Sequence, residues 1–224
     1  MNKPIIFLGP SLRHEEARKI FDAEYRPPAK KGDFLRLSGF TNDVSIVGLV
    51  DGLFLQDYPP TPIEVYHLTI KKNVIVIGAA SIGALRAVEL EKYGMIGIGK
   101  IFQLYKRGKI DADDEVAVTF ADEEKSLQSE AMIDVRFNLF IAKKEGIIDE
   151  ATRKAITRVA KNLYFPNRHY ANIIDQSKKR YPNLIENLEA FRSHIINKRV
   201  SLKQRDAIKL IKYVRKCYEQ QQFM

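Results

Sequence analysis

The sequence predicts an α/β protein, a parallel-sheet core of strand-turn-helix units followed by an all-helical C-terminal region. Three observations carry this. Apolar β-branched runs such as Val74-Ile75-Val76-Ile77 show no alternation, as strands covered on both faces do. These runs alternate with stretches of helical spacing, the pattern of a parallel sheet with right-handed crossovers. From Asp122 onward glycines are few and long helical periods take over. The expected division is therefore a core over 1–120 and a basic helical region over 121–224.

Within the core, Pro4-Ile5-Ile6-Phe7-Leu8-Gly9 reads as a first strand ending in a glycine-proline turn, with Ser11 able to cap the helix that carries Glu15, Glu16, Ala17 and Ile20. Residues 44–50 read as a second buried strand ending at Asp51-Gly52. Residues 63–72 read as a helix leading into the strand at 74–77. The chain turns at Gly78, and from Gly83 the run Ala84-Leu85-Arg86-Ala87-Val88-Glu89-Leu90 has helix-forming composition. In the helical region Gly146, Pro166, Pro182 and Val200 mark boundaries, and Asp149 and Ser201 are expected caps. Leu202, Ile208, Leu210, Ile211 and Val214 give the last helix an apolar stripe, read as core.

Composition narrows the class. The chain has 224 residues, 45% of them hydrophobic, enough for a substantial core. No apolar run approaches membrane-spanning length and the N-terminus lacks the pattern of a signal peptide, so a cytoplasmic protein with no membrane partner is expected. One cysteine, Cys217, rules out an internal disulfide, and His14, His67, His169 and His194 are scattered without zinc spacing, so no metal site and no cofactor are expected. The net charge of +9 is uneven. Residues 151–224 hold 17 Lys+Arg against 5 Asp+Glu, a net of +12, whereas residues 1–150 hold 20 against 23, a net of −3. Without interleaved aromatics, this basic surface suits water or an acidic protein better than nucleic acid.

The chemistry-bearing candidate is Ser81. It sits at a strand-to-helix turn, where unpaired N–H groups and the helix dipole favour an oxyanion. Ala79-Ala80-Ser81-Ile82-Gly83 is a near match to the nucleophile elbow G-x-S-x-G, although a plain N-cap serine explains the same residues. A serine needs a base. His67 has no visible partner acid, which leaves a lysine, as in Ser-Lys variants of the triad. Lys30 and Lys31, in the proline-stiffened loop Arg26-Pro27-Pro28-Ala29-Lys30-Lys31-Gly32-Asp33, are the expected bases, with Lys100 as a rival. Asp51 and Arg86 are expected to orient the site or bind the substrate, an Arg-Asp pair within the core being the alternative. The acidic run Asp111-Ala112-Asp113-Asp114-Glu115 suits salt bridges at least as well as a hard cation.

Together these motifs resemble the TfuA-like family. They are Gly9-Pro10-Ser11, the Pro27–Asp33 loop residues, Val50-Asp51-Gly52-Leu53-Phe54, residues 78–89, Tyr93-Gly94-Met95-Ile96-Gly97-Ile98-Gly99 and residues 113–118. The resemblance covers about residues 4–120 and leaves the C-terminal helices outside. Many relatives carry a His-Lys/Arg-Glu run where this chain has Ile63-Glu64-Val65, and Ile82 replaces a common methionine.

The resemblance implies a partner of YcaO-type ATP-dependent enzymes in peptide backbone thioamidation. It would hydrolyse the C-terminal thiocarboxylate of a ThiS-like sulfur carrier protein through a Ser-Lys pair, and help the YcaO enzyme engage its peptide or protein substrate. In a methanogen that substrate would be methyl-coenzyme M reductase. The alternative is a non-enzymatic docking scaffold recruiting YcaO, carrier and peptide, with Ser81 only a cap. A nucleotide-binding module is disfavoured because neither G-x-G-x-x-G nor the P-loop ending is present.

Overall fold

Strands with apolar residues on both faces must be covered on both sides, and the computed structural model shows how. It describes residues 2–39, 46–53, 57–119 and 129–222 and separates into two units, Met1–Asp113 with Lys203–Met224, and Asp114–Leu202.

In the first unit five parallel strands, β1 (Ile5–Phe7), β2 (Glu24–Arg26), β3 (Ile46–Leu49), β4 (Ile75–Ala79) and β5 (Ile96–Ile98), form one sheet in the order β2-β1-β3-β4-β5. Ile6 pairs with Gly48, Gly48 with Ile77, and Ile77 with Ile96. Strand order reverses between β1 and β3, so the loops after these two strands part toward opposite faces and leave a crevice at their carboxyl ends. The α/β class expected from the sequence is the class observed.

Helix α1 (His14–Ile20) and the last helix, α10 (Leu202–Gln222), cover one face: Ile6, Leu8, Ile46, Val50, Ile77 and Ala79 pack in one cluster with Leu12, Ala17, Ala207, Leu210, Ile211 and Val214. Gly48 is what lets α10 so close, since a β-carbon there would lie 3.0 Å from Leu210. On the other face are α2 (Asp33–Gly39), α3 (Pro62–Thr69) and α4 (Ile82–Leu90), where Phe34 of α2 stacks on Phe7 at 5.4 Å. Helix α5 (Gly99–Lys106) follows β5 directly.

The second unit holds α6 (Met132–Lys144), α7 (Glu150–Asn162), α8 (Tyr170–Arg180) and α9 (Ile185–Lys198) around Leu139, Ile156, Ile173, Leu188 and Phe191. The expected boundaries fall where the helices end: Gly146 takes φ +73° after α6, and Pro166 and Pro182 open short 3-10 turns before α8 and α9. Asp149 caps α7, accepting from the Thr152 N–H at 2.7 Å.

Two expectations are corrected. The division expected at 120/121 falls among residues outside those described; the units part at 113/114, and α10, assigned to the helical region, belongs to the α/β unit. A periodic stripe shows that a face is buried without showing against what. Ser11 does not cap α1, whose N-cap is Arg13; its hydroxyl instead donates to Asp51. No helix among the described residues is long and apolar enough to cross a membrane.

Candidate active site

Parallel strands deliver their carboxyl ends to a single edge, and the sequence has placed polar residues at three of them. After β1 come Gly9 and Ser11, after β3 comes Asp51, and after β4 comes Ser81. Asp51, 1% exposed, binds the first of these loops through both carboxylate oxygens. It takes the Gly9 N–H at 2.9 Å, the Ser11 N–H at 3.0 Å and the Ser11 hydroxyl at 2.6 Å. The β1–β3 crevice is thus fixed by a buried carboxylate that positions backbone.

The turn after β4 is strained. Ala80 has φ +64°, the only positive φ at a non-glycine among the described residues, and the Ser81 N–H reaches back to the Ala79 carbonyl at 2.9 Å. A three-residue turn of this hand costs an L-residue on the order of 1–3 kcal/mol. What it achieves is abrupt reversal, with Ser81 at the head of α4 within two residues of the strand. Glycines make the reversal close: a β-carbon at Gly83 would overlap the Leu49 carbonyl, and one at Gly78 the Gly83 carbonyl. The Gly83 N–H donates to Val50 at 3.3 Å, binding the first turn of α4 to the residue before Asp51.

Ser81 occupies the N-cap position, but its side chain makes no capping hydrogen bond. The residue is 2% exposed. Beside it, the Ile82 N–H has no backbone acceptor among the described residues and points from the positive end of a nine-residue helix.

The lysine loop reaches this edge by its backbone. Ala29 bridges to Gly52 in parallel fashion, its N–H donating to Asp51 at 2.9 Å and its carbonyl accepting from Leu53 at 3.0 Å. A β-carbon at Gly52 would meet Ala29 O at 3.1 Å and Ile82 Cγ2 at 2.8 Å, so loop, strand end and the residue after Ser81 converge on one glycine. Glu64, buried in the first turn of α3, accepts the Gly32 N–H at 2.7 Å and the Thr61 hydroxyl at 3.1 Å. The Lys31 N–H donates to Tyr58 at 2.7 Å. The side chains of Lys30 and Lys31 are exposed, as is Lys100 in the first turn of α5. Sequence reasoning noticed Glu64 only as a departure from relatives; its phase beside Val65 and Leu68 on the buried face of α3 was the available signal.

Arg86 and Asp51 do not pair in the way the core alternative required. The Arg86 guanidinium donates to the Pro60 carbonyl at 2.9 Å and to Glu89 at 2.8 Å, tying α4 to the segment before α3. His67 sits in the last turn of α3, which leads into the start of β4, so it lies toward the sheet edge opposite Ser81. Phe54, part of the motif after Asp51, falls outside the described residues.

The acidic run resolves into ion pairs within the second unit. Glu115 takes a bidentate fork from Arg136, both contacts at 2.9 Å, and Lys161 at 3.0 Å. Asp114 takes Lys161 at 2.5 Å and the buried Arg168 at 2.9 Å. These two cations hold the Asp114 carboxyl below the usual carboxylate range against the opposing effect of burial.

No curated protein matches this chain. The family model described as TfuA-like protein matches residues 51–169, just over half of the chain. That span starts at the buried Asp51 and runs past the strained Ser81 turn through the Asp114–Arg168 ion network. It therefore includes α6 and α7, which the sequence reading had left outside the resemblance. The chain belongs to the TfuA-like family.

Proposed function

We propose that the chain serves YcaO-dependent backbone thioamidation by hydrolysing the C-terminal thiocarboxylate of a ThiS-like sulfur carrier, with Ser81 as nucleophile and an amine as base. The family is associated with YcaO thioamidation. The observation that carries the hydrolase reading is the strained turn at Ala80, which places a serine hydroxyl not used for capping at the head of α4.

Ser81 Oγ attacks the thiocarboxylate carbon while its proton passes to the amine. The oxyanion forms against the Ile82 N–H and the dipole of α4, donors fixed before the reaction begins. The C–S bond breaks and sulfur, taking the proton from the amine, leaves as HS⁻. Water then cleaves the resulting ester, restoring the serine and releasing a carboxylate. A serine this buried calls for an extended, unbranched chain end such as a carrier tail rather than a folded surface. The released sulfide would supply the amide that the YcaO enzyme activates with ATP, which places the work in the cytoplasm, and the chain would also help YcaO engage its substrate.

The 2% exposure of Ser81 favours a second reading, a scaffold that recruits YcaO, carrier and peptide without chemistry of its own. Sulfide release from a thiocarboxylated carrier separates the two. The hydrolase reading predicts that Ser81→Ala lowers turnover by at least a hundredfold while carrier binding persists. Undiminished release by the Ser81→Ala protein would leave only the scaffold.

A further inference from the structure

We propose that the outer face of α3 is a docking surface for an amphipathic, acidic helix of a partner protein. The proposal stands independently of the hydrolase reading.

Helix α3 is apolar on two sides. Val65, Leu68 and Thr69 lie on one and are buried. On the other, Ile63, Tyr66 and Ile70 follow the i, i+3, i+7 spacing that lines side chains up along one helix face. Ile63 is 60% exposed and Ile70 is 51% exposed. A helix that is apolar all round belongs in an interior, and α3 is covered on one side only. A single exposed isoleucine needs no explanation, whereas apolar residues in phase along a helix make a patch, and such patches mark contact sites.

The patch extends beyond the helix. Tyr93, 45% exposed, ends the 3-10 turn that follows α4 and stands edge-on to Tyr66 with ring centres 4.9 Å apart. A β-carbon on the next residue, Gly94, would lie 3.9 Å from Thr69, so this turn and α3 share one surface. Tyrosine suits the centre of a protein contact, because its ring buries a large rigid area while its hydroxyl keeps a polar partner at the rim.

Charge decides the occupant. Lys72 is exposed just after Ile70, and the exposed Lys92 holds its Nζ 5.0 Å from the centre of the Tyr93 ring. The neighbouring carboxylates are engaged elsewhere: Glu64 accepts from Gly32, Glu89 pairs with Arg86 at 2.8 Å and Glu91 with Lys106 at 2.6 Å. The surface is thus apolar along the helix and positive at the end near Ile70 and Tyr93. A second copy of this chain fits poorly, since each patch would offer the other lysines and no unpaired carboxylate of its own. A lipid surface fits poorly too, because its capture takes clusters of about four or more cations. A partner helix with apolar residues at i, i+3, i+4 and i+7 and acidic residues beside them meets both features. From Ile63 to Ile70 the stripe rises about 10 Å, two turns of such a helix.

The test pans a random library of helical peptides, each of about four turns, on the full chain and titrates the enriched peptides by fluorescence anisotropy. The proteins compared are wild type, an Ile63→Asp, Ile70→Asp variant, a Lys72→Glu, Lys92→Glu variant and, as a control in the helical unit, Ile196→Asp at another exposed isoleucine. All the substituted side chains are exposed, so each variant is expected to melt near wild type. Enriched peptides are expected to carry the apolar spacing with acidic residues, to bind the control as they bind wild type, and to lose about tenfold or more in affinity for either double variant. Added salt should weaken their binding to wild type. Peptides that bind both double variants within threefold of wild type overturn the proposal, as does a selection that enriches no acidic amphipathic peptide. If the aspartate pair fails to fold, the charge reversal decides alone. Two further results replace the occupant and so overturn it: wild-type binding to phosphatidylserine vesicles that Ile63→Asp, Ile70→Asp abolishes, or a dimer in sedimentation that the same pair dissociates.

Discussion

Single residues set the geometry at the carboxyl edge of the sheet, and their substitution should report on it directly. Gly83→Ala would force α4 off β3 by pressing a methyl group into the Leu49 carbonyl, and a loss of about 3 kcal/mol or more in stability is expected from denaturant unfolding. Ala80→Gly should do the reverse: it relieves the positive φ at the expense of a looser unfolded chain, for a gain of up to about 1 kcal/mol. A loss greater than the roughly 1 kcal/mol that deleting the buried Ala80 methyl costs would mean that the turn is not strained. Glu130 gives a pH-dependent counterpart in the second unit. Burial raises its carboxyl to about 7, with Asp134 adding to the shift and Arg199 opposing it. Because the folded state holds this proton more tightly than the unfolded chain, its contribution is full below about pH 4.5 and is lost as pH rises through about 7. Glu130→Gln should therefore melt above wild type at pH 8, by on the order of 2 kcal/mol, with the gap closing toward pH 5. A gap that is constant over this range would contradict the shift. The sequence made Ser81 and its small neighbours legible, because a serine between β-branched strand and helix is a local pattern. Glu64 was less visible, although a carboxylate in phase with Val65 and Leu68 breaks the apolar face it sits on.

Elements were legible in proportion to their length and purity. β3 and β4 could be read from their apolar runs. β2 and β5 are three residues each, and Glu24-Tyr25-Arg26 at the sheet edge has the composition of a loop. The loop after β2 was expected to matter for its lysines, and its backbone proves to be the structured part. Glu64 reaches it from α3, a contact separated by 32 residues that no local pattern encodes. Glu64→Ala leaves the Gly32 N–H without its buried acceptor and should cost about 1–3 kcal/mol. It should also speed tryptic cleavage after Lys30 and Lys31, while the sites on α8 keep their wild-type rate. Unchanged cleavage in the loop would show that Tyr58 and Gly52 hold it unaided.

At the scale of the whole molecule, the chain leaves its α/β unit at Asp113 and returns to it at Lys203, so a division by sequence order alone cannot be right. The return changes where the charge belongs. The helical unit over 114–202 holds 15 Lys+Arg against 13 Asp+Glu, whereas the α/β unit with α10 holds 22 against 15. Most of the basic excess thus lies on the unit that carries Ser81, where it would attract an acidic partner. The reaction assigned to Ser81 has one obligatory intermediate, an ester between the serine oxygen and the carrier's terminal carbonyl, formed with loss of sulfide. Acid quenching of wild-type protein mixed with excess thiocarboxylated carrier, followed by intact mass measurement and peptide mapping, tests for it most directly. The account predicts a covalent adduct that maps to Ser81 and is absent from Ser81→Ala; an adduct on another residue, or sulfide release at wild-type rate from the Ser81→Ala protein, would contradict it.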